Sequence, residues 1–174
     1  MTTLSATDQL TFTTVETPYD QLLLVGSSAG LVRIAFEREG FHEVLSGLEE
    51  RAQASAVEAS GELDDPRRQL EEYFAGERTR FAVDLDLDAI GGFRRRALEA
   101  MAAIPYGHTR SYRQLAEAAG NRSAVRAAGG ACATNPWPVI MPCHRVLRSD
   151  GGLGGYLGGL EMKRGLLALE AEAA

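Results

Sequence analysis

The 174-residue sequence predicts an α+β fold: a small N-terminal antiparallel-sheet and helix domain over residues 1–90, then a mainly helical domain over residues 91–174 with a helix-turn-helix. Three observations carry this. Two β-rich runs joined by a tight turn open the chain, two segments with apolar residues at helical spacing follow, and the back half breaks into short alanine-rich helices.

"LTFTTVET" and "QLLLVGSSAGLVRIAFE" have strand composition, and Ser27-Ser28-Ala29-Gly30 reads as the bend of a hairpin. "HEVLSGLEERAQAS" and "DPRRQLEEYFAG" have helical periodicity; the second has Asp65 as N-cap, Pro66 at the first helical position and Gly76 as its stop. A last short strand is expected around "TRFAVDLDL", and "DAIGG" marks the domain boundary. Beyond it "FRRRALEAMAAI" is a helix ended by "PYGHT". "SYRQLAEAAG" and "SAVRAAGGACAT", separated by Asn121-Arg122, outline a helix-turn-helix or an ordinary helical hairpin packed through alanines. Ala124, Ala127, Ala128 and Ala131 make the second helix slim, with Arg126 projecting from it.

Charge is segregated along the chain. Residues 1–91 hold 7 Arg against 18 Asp plus Glu, a balance of −11; residues 92–148 hold 9 Arg against Glu99 and Glu117, a balance of +7. A basic segment behind an acidic one is expected when one module faces a polyanion, although an arginine-rich solvated face has the same composition. No apolar run approaches the roughly 20 residues that span a bilayer, so no membrane association is expected. With two cysteines and no secretory leader pattern, the expectation is a cytoplasmic protein with reduced thiols.

Cysteine chemistry needs the thiolate, and a free thiol near pKa ~8.5 supplies little of it at neutral pH. Cys143, between Pro142 and His144, is either a buried packing residue or a nucleophile whose surroundings assist it. Neighbouring side chains diverge, so His144 reaches Cys143 only across a turn or through a water, with a third group holding the imidazole. "PVIM" and Pro142 suggest an extended segment ending in a tight turn. Arg145 and Arg148 would favour a thiolate if close, or are surface charges. Cys132, in an alanine-rich helix, reads as a packing residue, and Trp137 as part of a rigid connector. The three histidines and two cysteines show no zinc spacing, so no metal is expected. "GGLGGYLGG" matches no phosphate loop.

The stretch "NPWPVIMPCHRVLRSDGGLGGYLGGLEMKRGLLALE" resembles the active-site region of the O6-alkylguanine-DNA alkyltransferases, the methylated-DNA–protein-cysteine methyltransferases. Its core is Pro142 to Val146, preceded by Asn135 to Pro138; "IPYGHTRSYRQLA" and "AVRAAGGA" extend the similarity over residues 93–170. The resemblance implies direct DNA repair. A damaged guanine flips out of duplex DNA and its O6-alkyl group passes irreversibly and stoichiometrically to Cys143, without a cofactor; O4-alkylthymine is a second candidate substrate. It further implies that His144 acts on Cys143 through a water under Glu170, that Asn135 bridges the helix-turn-helix to the active-site segment, and that Tyr112 crowds the target phosphate. Arg126 would fill the space left by the base, Asn121 and Ser149 would touch the DNA backbone, and Val146, Tyr156, Leu157 and Gly158 would form the pocket. The implied partner is double-stranded DNA bound through its minor groove by a monomer, with cooperative binding along DNA left open. This chain departs from the family at Leu169 and Gly165, where His and Trp are frequent. A lesion-recognising module without turnover and a Cys/His hydrolase are the competing functions.

Overall fold

The computed structural model describes residues 9–88 and 90–172, which divide between residues 89 and 90 into two compact units. In the first, β1 (Leu10–Glu16), β2 (Gln21–Ser27), β3 (Gly30–Phe36) and β4 (Ala56–Glu58) form one sheet in the order β3-β2-β1-β4. β1, β2 and β3 pair antiparallel, as the hairpin turn dictates. The expected antiparallel sheet also carries one parallel member, β4, which follows α1 (Phe41–Ala52) and pairs with β1. A helical crossover returns the chain in the same direction, which makes a parallel neighbour natural. Leu22 to Val25 are all buried, so β2 is covered on both faces. Leu23, Val25 and Ala35 pack with Leu48 and Ala52 of α1.

Two local expectations are corrected here. The second helix, α2, spans Asp64–Phe74 with Leu63 as N-cap, so Asp65 lies inside the first turn and caps nothing; it receives Gln69 and Arg68 instead. The strand expected over residues 79–87 is reduced to one isolated bridge, Leu31 with Leu85. The Gln69 side chain takes both backbone groups of Ala82, donating to its carbonyl at 3.0 Å and accepting its N–H at 2.8 Å. Those groups are therefore satisfied without a ladder.

The second unit contains α3 (Gly92–Ala102), β5 (Arg110–Ser111), α4 (Tyr112–Ala118), α5 (Val125–Ala133), β6 (Val146–Leu147) and α6 (Leu160–Glu172). Ala97, Ala119 and Ala131 bring α3, the end of α4 and α5 close together, with Phe93 against them. α4 opens with a reciprocal cap: Ser111 Oγ accepts from Gln114 N at 3.2 Å, and Gln114 Oε1 accepts from Ser111 N at 2.8 Å. β5 and β6 pair in parallel, Arg110 with Val146 and Ser111 with Leu147. That short ladder sets the first residue of α4, Tyr112, beside the Cys-His segment. Among the described residues, no helix is long and apolar enough to cross a membrane.

Candidate active site

Cys143 sits at the start of a one-turn 3₁₀ helix, Cys143–Arg145, entered from Pro142 and leaving into β6. The approach is tightly folded: Met141 N donates to Trp137 O at 2.7 Å, Cys143 N donates to Met141 O at 2.8 Å, and Val139 holds a positive φ of 75°. A β-branched residue reaches that region only under constraint. Trp137, 1% exposed, and buried Val139 fix the connector. Asn135 secures it from inside. Its Nδ2 donates to Met141 O at 2.7 Å and its Oδ1 accepts from Trp137 N at 3.0 Å, and its side chain also hydrogen-bonds Cys143.

His144 is fully buried and its Nε2 lies 2.8 Å from Glu170 Oε1. Glu170, 1% exposed, is shared: Arg145 donates Nε to Oε2 and Nη2 to Oε1, each at 2.9 Å, and Gly107 N donates to Oε2 at 3.2 Å. Arg145 Nη1 also donates to Ile104 O at 2.6 Å. Arg145 is therefore no surface charge; its guanidinium compensates a buried carboxylate. Arg148, by contrast, is exposed and pairs with exposed Asp150.

Burial dominates the titration of the site. It pushes the Cys143 thiol above its ordinary range, opposed by the Asn135 hydrogen bond and by the Lys163 charge. It pulls His144 below the usual imidazole value, against the opposing pull of Glu170. Burial also raises Tyr112 and pushes Cys132 up to about 12, so Cys132 is an inert thiol.

The remaining expected residues fall in two places. Arg126 and Asn121 are exposed on the helix-turn-helix, where Asn121 Oδ1 accepts from Ser123 N and Oγ and orders the turn into α5. Ser149 is exposed after β6; Val146 is fully buried, Gly158 buried, Tyr156 half-buried and Leu157 45% exposed. The glycine loop before Tyr156 passes close to Tyr112: a Cβ on Gly154, whose φ is +67°, would lie 3.0 Å from Tyr112 Oη. Among the described residues no cluster of three His, Cys, Asp or Glu could hold a metal ion.

Two models of one family match the chain. The 6-O-methylguanine DNA methyltransferase DNA-binding domain matches residues 92–172, and the ribonuclease-like domain of the same family matches residues 10–87. The chain belongs to the 6-O-methylguanine DNA methyltransferase family. It is 42% identical over 161 residues to the methylated-DNA–protein-cysteine methyltransferase of Mycolicibacterium paratuberculosis, covering 91% of each chain. It is similar to the crystal structure of the Mycobacterium tuberculosis O6-methylguanine methyltransferase, with 36% identity, 95% of each chain covered and a TM-score of 0.81. It is also similar to Mycobacterium tuberculosis OGT in complex with DNA, with 37% identity, 94% of each chain covered and a TM-score of 0.80.

Within this methyltransferase site, two features escaped sequence reasoning. One is the Arg145–Glu170 pairing. The other is Lys163, fully buried in α6, whose Nζ donates to Val146 O at 2.8 Å, to Leu153 O and to Gly155 O at 3.4 Å. The available signal for Lys163 was its spacing: it lies seven residues before Glu170, two helical turns along the same face.

Proposed function

We propose that this chain repairs O6-alkylguanine in duplex DNA by moving the alkyl group onto Cys143 in a single turnover. The observation that carries the reading is the buried Cys143–His144 turn with His144 Nε2 held 2.8 Å from Glu170. Glu170 fixes the imidazole, so that its other nitrogen takes the thiol proton through a water. The sulfur attacks the alkyl carbon; a C–S bond forms as the C–O6 bond breaks, and the departing purine takes back one proton, leaving guanine. Tyr112 donates toward the purine, and no cofactor enters the balance. The thioether product has no leaving group that water displaces readily, so the protein is consumed.

A stacked base leaves no line of attack, and extrusion costs a few kcal/mol. Arg126, exposed on the slim α5, enters the minor groove and fills the vacated stack. Asn121 and Ser149 contact the phosphodiester backbone, and Val146, Tyr156, Leu157 and Gly158 wall the pocket. The protein acts as a monomer on DNA in the cytoplasm.

The test is a duplex carrying O6-methylguanine, mixed with wild-type protein and with Cys143→Ser. The wild-type Cys143 peptide gains about 14 Da, one methylene, the Ser variant gains nothing, and a second equivalent of DNA stays methylated. An unchanged wild-type peptide, or clearance of several equivalents, overturns the reading.

A further inference from the structure

We infer that Tyr106 is a positioning residue of the transfer reaction: its ring lies over the Arg145 guanidinium and its turn hands an amide N–H to Glu170, so that the carboxylate keeps one orientation toward His144. This rests on Cys143 being the acceptor and His144 the base that serves it.

The donors around Glu170 fill its capacity. Oε1 takes His144 Nε2 at 2.8 Å and Arg145 Nη2 at 2.9 Å; Oε2 takes Arg145 Nε at 2.9 Å and Gly107 N at 3.2 Å. An ionised carboxylate has about four acceptor sites, so a full set of donors holds it in one setting. His144 and Arg145 both belong to the acceptor turn, whereas Gly107 comes from a separate segment and holds the carboxylate against that turn.

That segment is a β-turn over Pro105 to His108, closed by His108 N donating to Pro105 O at 3.1 Å. Gly107 has φ +74° and Tyr106 does not have a positive φ, which makes the turn type II. The peptide between Tyr106 and Gly107 is the one whose flip separates type II from type I. Both of its groups are engaged: the N–H on Glu170, and the carbonyl on His108 Nδ1 at 3.0 Å. The Tyr106 side chain ties this turn to the ion pair. Its ring centroid lies 5.7 Å from Arg145 Cζ, and Arg145 Nη1 donates to Ile104 O at 2.6 Å, just ahead of the turn. One loop therefore holds both the guanidinium and its partner anion. The Tyr106 hydroxyl reaches Leu169 O at 3.5 Å, long for a hydroxyl donor, so the ring carries the role. Burial, and behind it the Glu170 charge, push the phenol above its ordinary value, so the ring meets the cation as a neutral phenol.

Tyr106 is half-buried, so Tyr106→Leu and Tyr106→Phe test the role without emptying the core. With an O6-methylguanine duplex in single-turnover runs, the limiting transfer rate of the Leu variant falls by about tenfold, part of the ~10²–10⁴ that a positioned base supplies. The duplex concentration that gives half of that rate is unchanged. In ¹⁵N spectra of the histidine rings, wild-type His144 keeps a slowly exchanging proton on Nε2; in the Leu variant this proton exchanges faster and the ring shifts move toward those of exposed His42. The Phe variant keeps the ring and matches wild type in rate and spectrum. A wild-type rate in the Leu variant, slowing without a change at His144, or a Phe variant as slow as the Leu variant overturns the inference. Should the Leu variant misfold, the wild-type Gly107 amide decides: protection from hydrogen exchange supports the role, and exchange at the rate of an open loop refutes it. A wild-type protein that never gains methyl at Cys143 rejects the acceptor reading instead, and the His144 spectra still report on Tyr106.

Discussion

At the residue scale, Glu170 is the side chain on which most of the site converges, since it serves His144, Arg145 and the Gly107 amide together. Glu170→Gln keeps the shape but leaves the Arg145 guanidinium buried without its anion. The expected loss is about 3–5 kcal/mol of stability in a denaturant titration, with transfer slowed by about 10²-fold as the imidazole loses its orienting partner. His144 makes a separate pH prediction. Its native value lies below 6.5, so as pH falls past about 6.5 the unfolded chain takes up a proton that the native protein refuses. Stability is therefore full above that pH and declines as pH falls toward the depressed native value. Urea midpoints measured across this range in wild type and His144→Gln check it; the variant loses this component of the slope.

At the element scale, the glycine loop and the helix-turn-helix each permit a contrast. Gly154 holds φ +67° with Tyr112 Oη 3.0 Å from where a Cβ would stand, whereas a Cβ on Gly155 would meet nothing within 4 Å. Gly154→Ala should slow alkyl transfer, most for bulky O6 groups, while Gly155→Ala stays close to wild type; single-turnover rates with O6-methyl and O6-benzyl substrates separate them. Arg126→Ala should slow transfer from duplex by about tenfold or more, because nothing then offsets the few kcal/mol of unstacking. Its iodoacetamide reaction at Cys143 should not change. Equal slowing of both reactions would place Arg126 in the chemistry instead of in the stack. The capping box at Ser111 and Gln114 and the Asn121 turn show why these short helices start where they do.

At the scale of the whole molecule, a chain of net charge −6 is expected to bind DNA because its positive charge is concentrated in residues 92–148. The logarithm of the binding constant should fall linearly with the logarithm of salt concentration, by about 0.9 per phosphate neutralised. Arg122→Ala should reduce that slope by about one if the exposed face of the helix-turn-helix tracks the backbone; an unchanged slope would move the footprint elsewhere. The hairpin, the helix-turn-helix and the Cys143–His144 turn were legible from the sequence because each is set by neighbours: a turn tetrapeptide, alanine spacing, a proline before the cysteine. The expected strand over residues 79–87 is cut short to a bridge on Leu31, with a distant Gln69 taking the backbone groups of Ala82, and the parallel β4 depended on where a crossover helix landed. Arg145 and Lys163 look like surface charges in a string of letters, since burial is a property of what packs around a residue. The sequence by itself therefore determined which residues could carry the reaction, through local order. The tertiary structure alone decided that Glu170, 26 residues from His144, closes on it, and that Lys163 reaches the carbonyls of β6 and the glycine loop, because only packing of α6 brings groups so far apart in the chain within bonding distance.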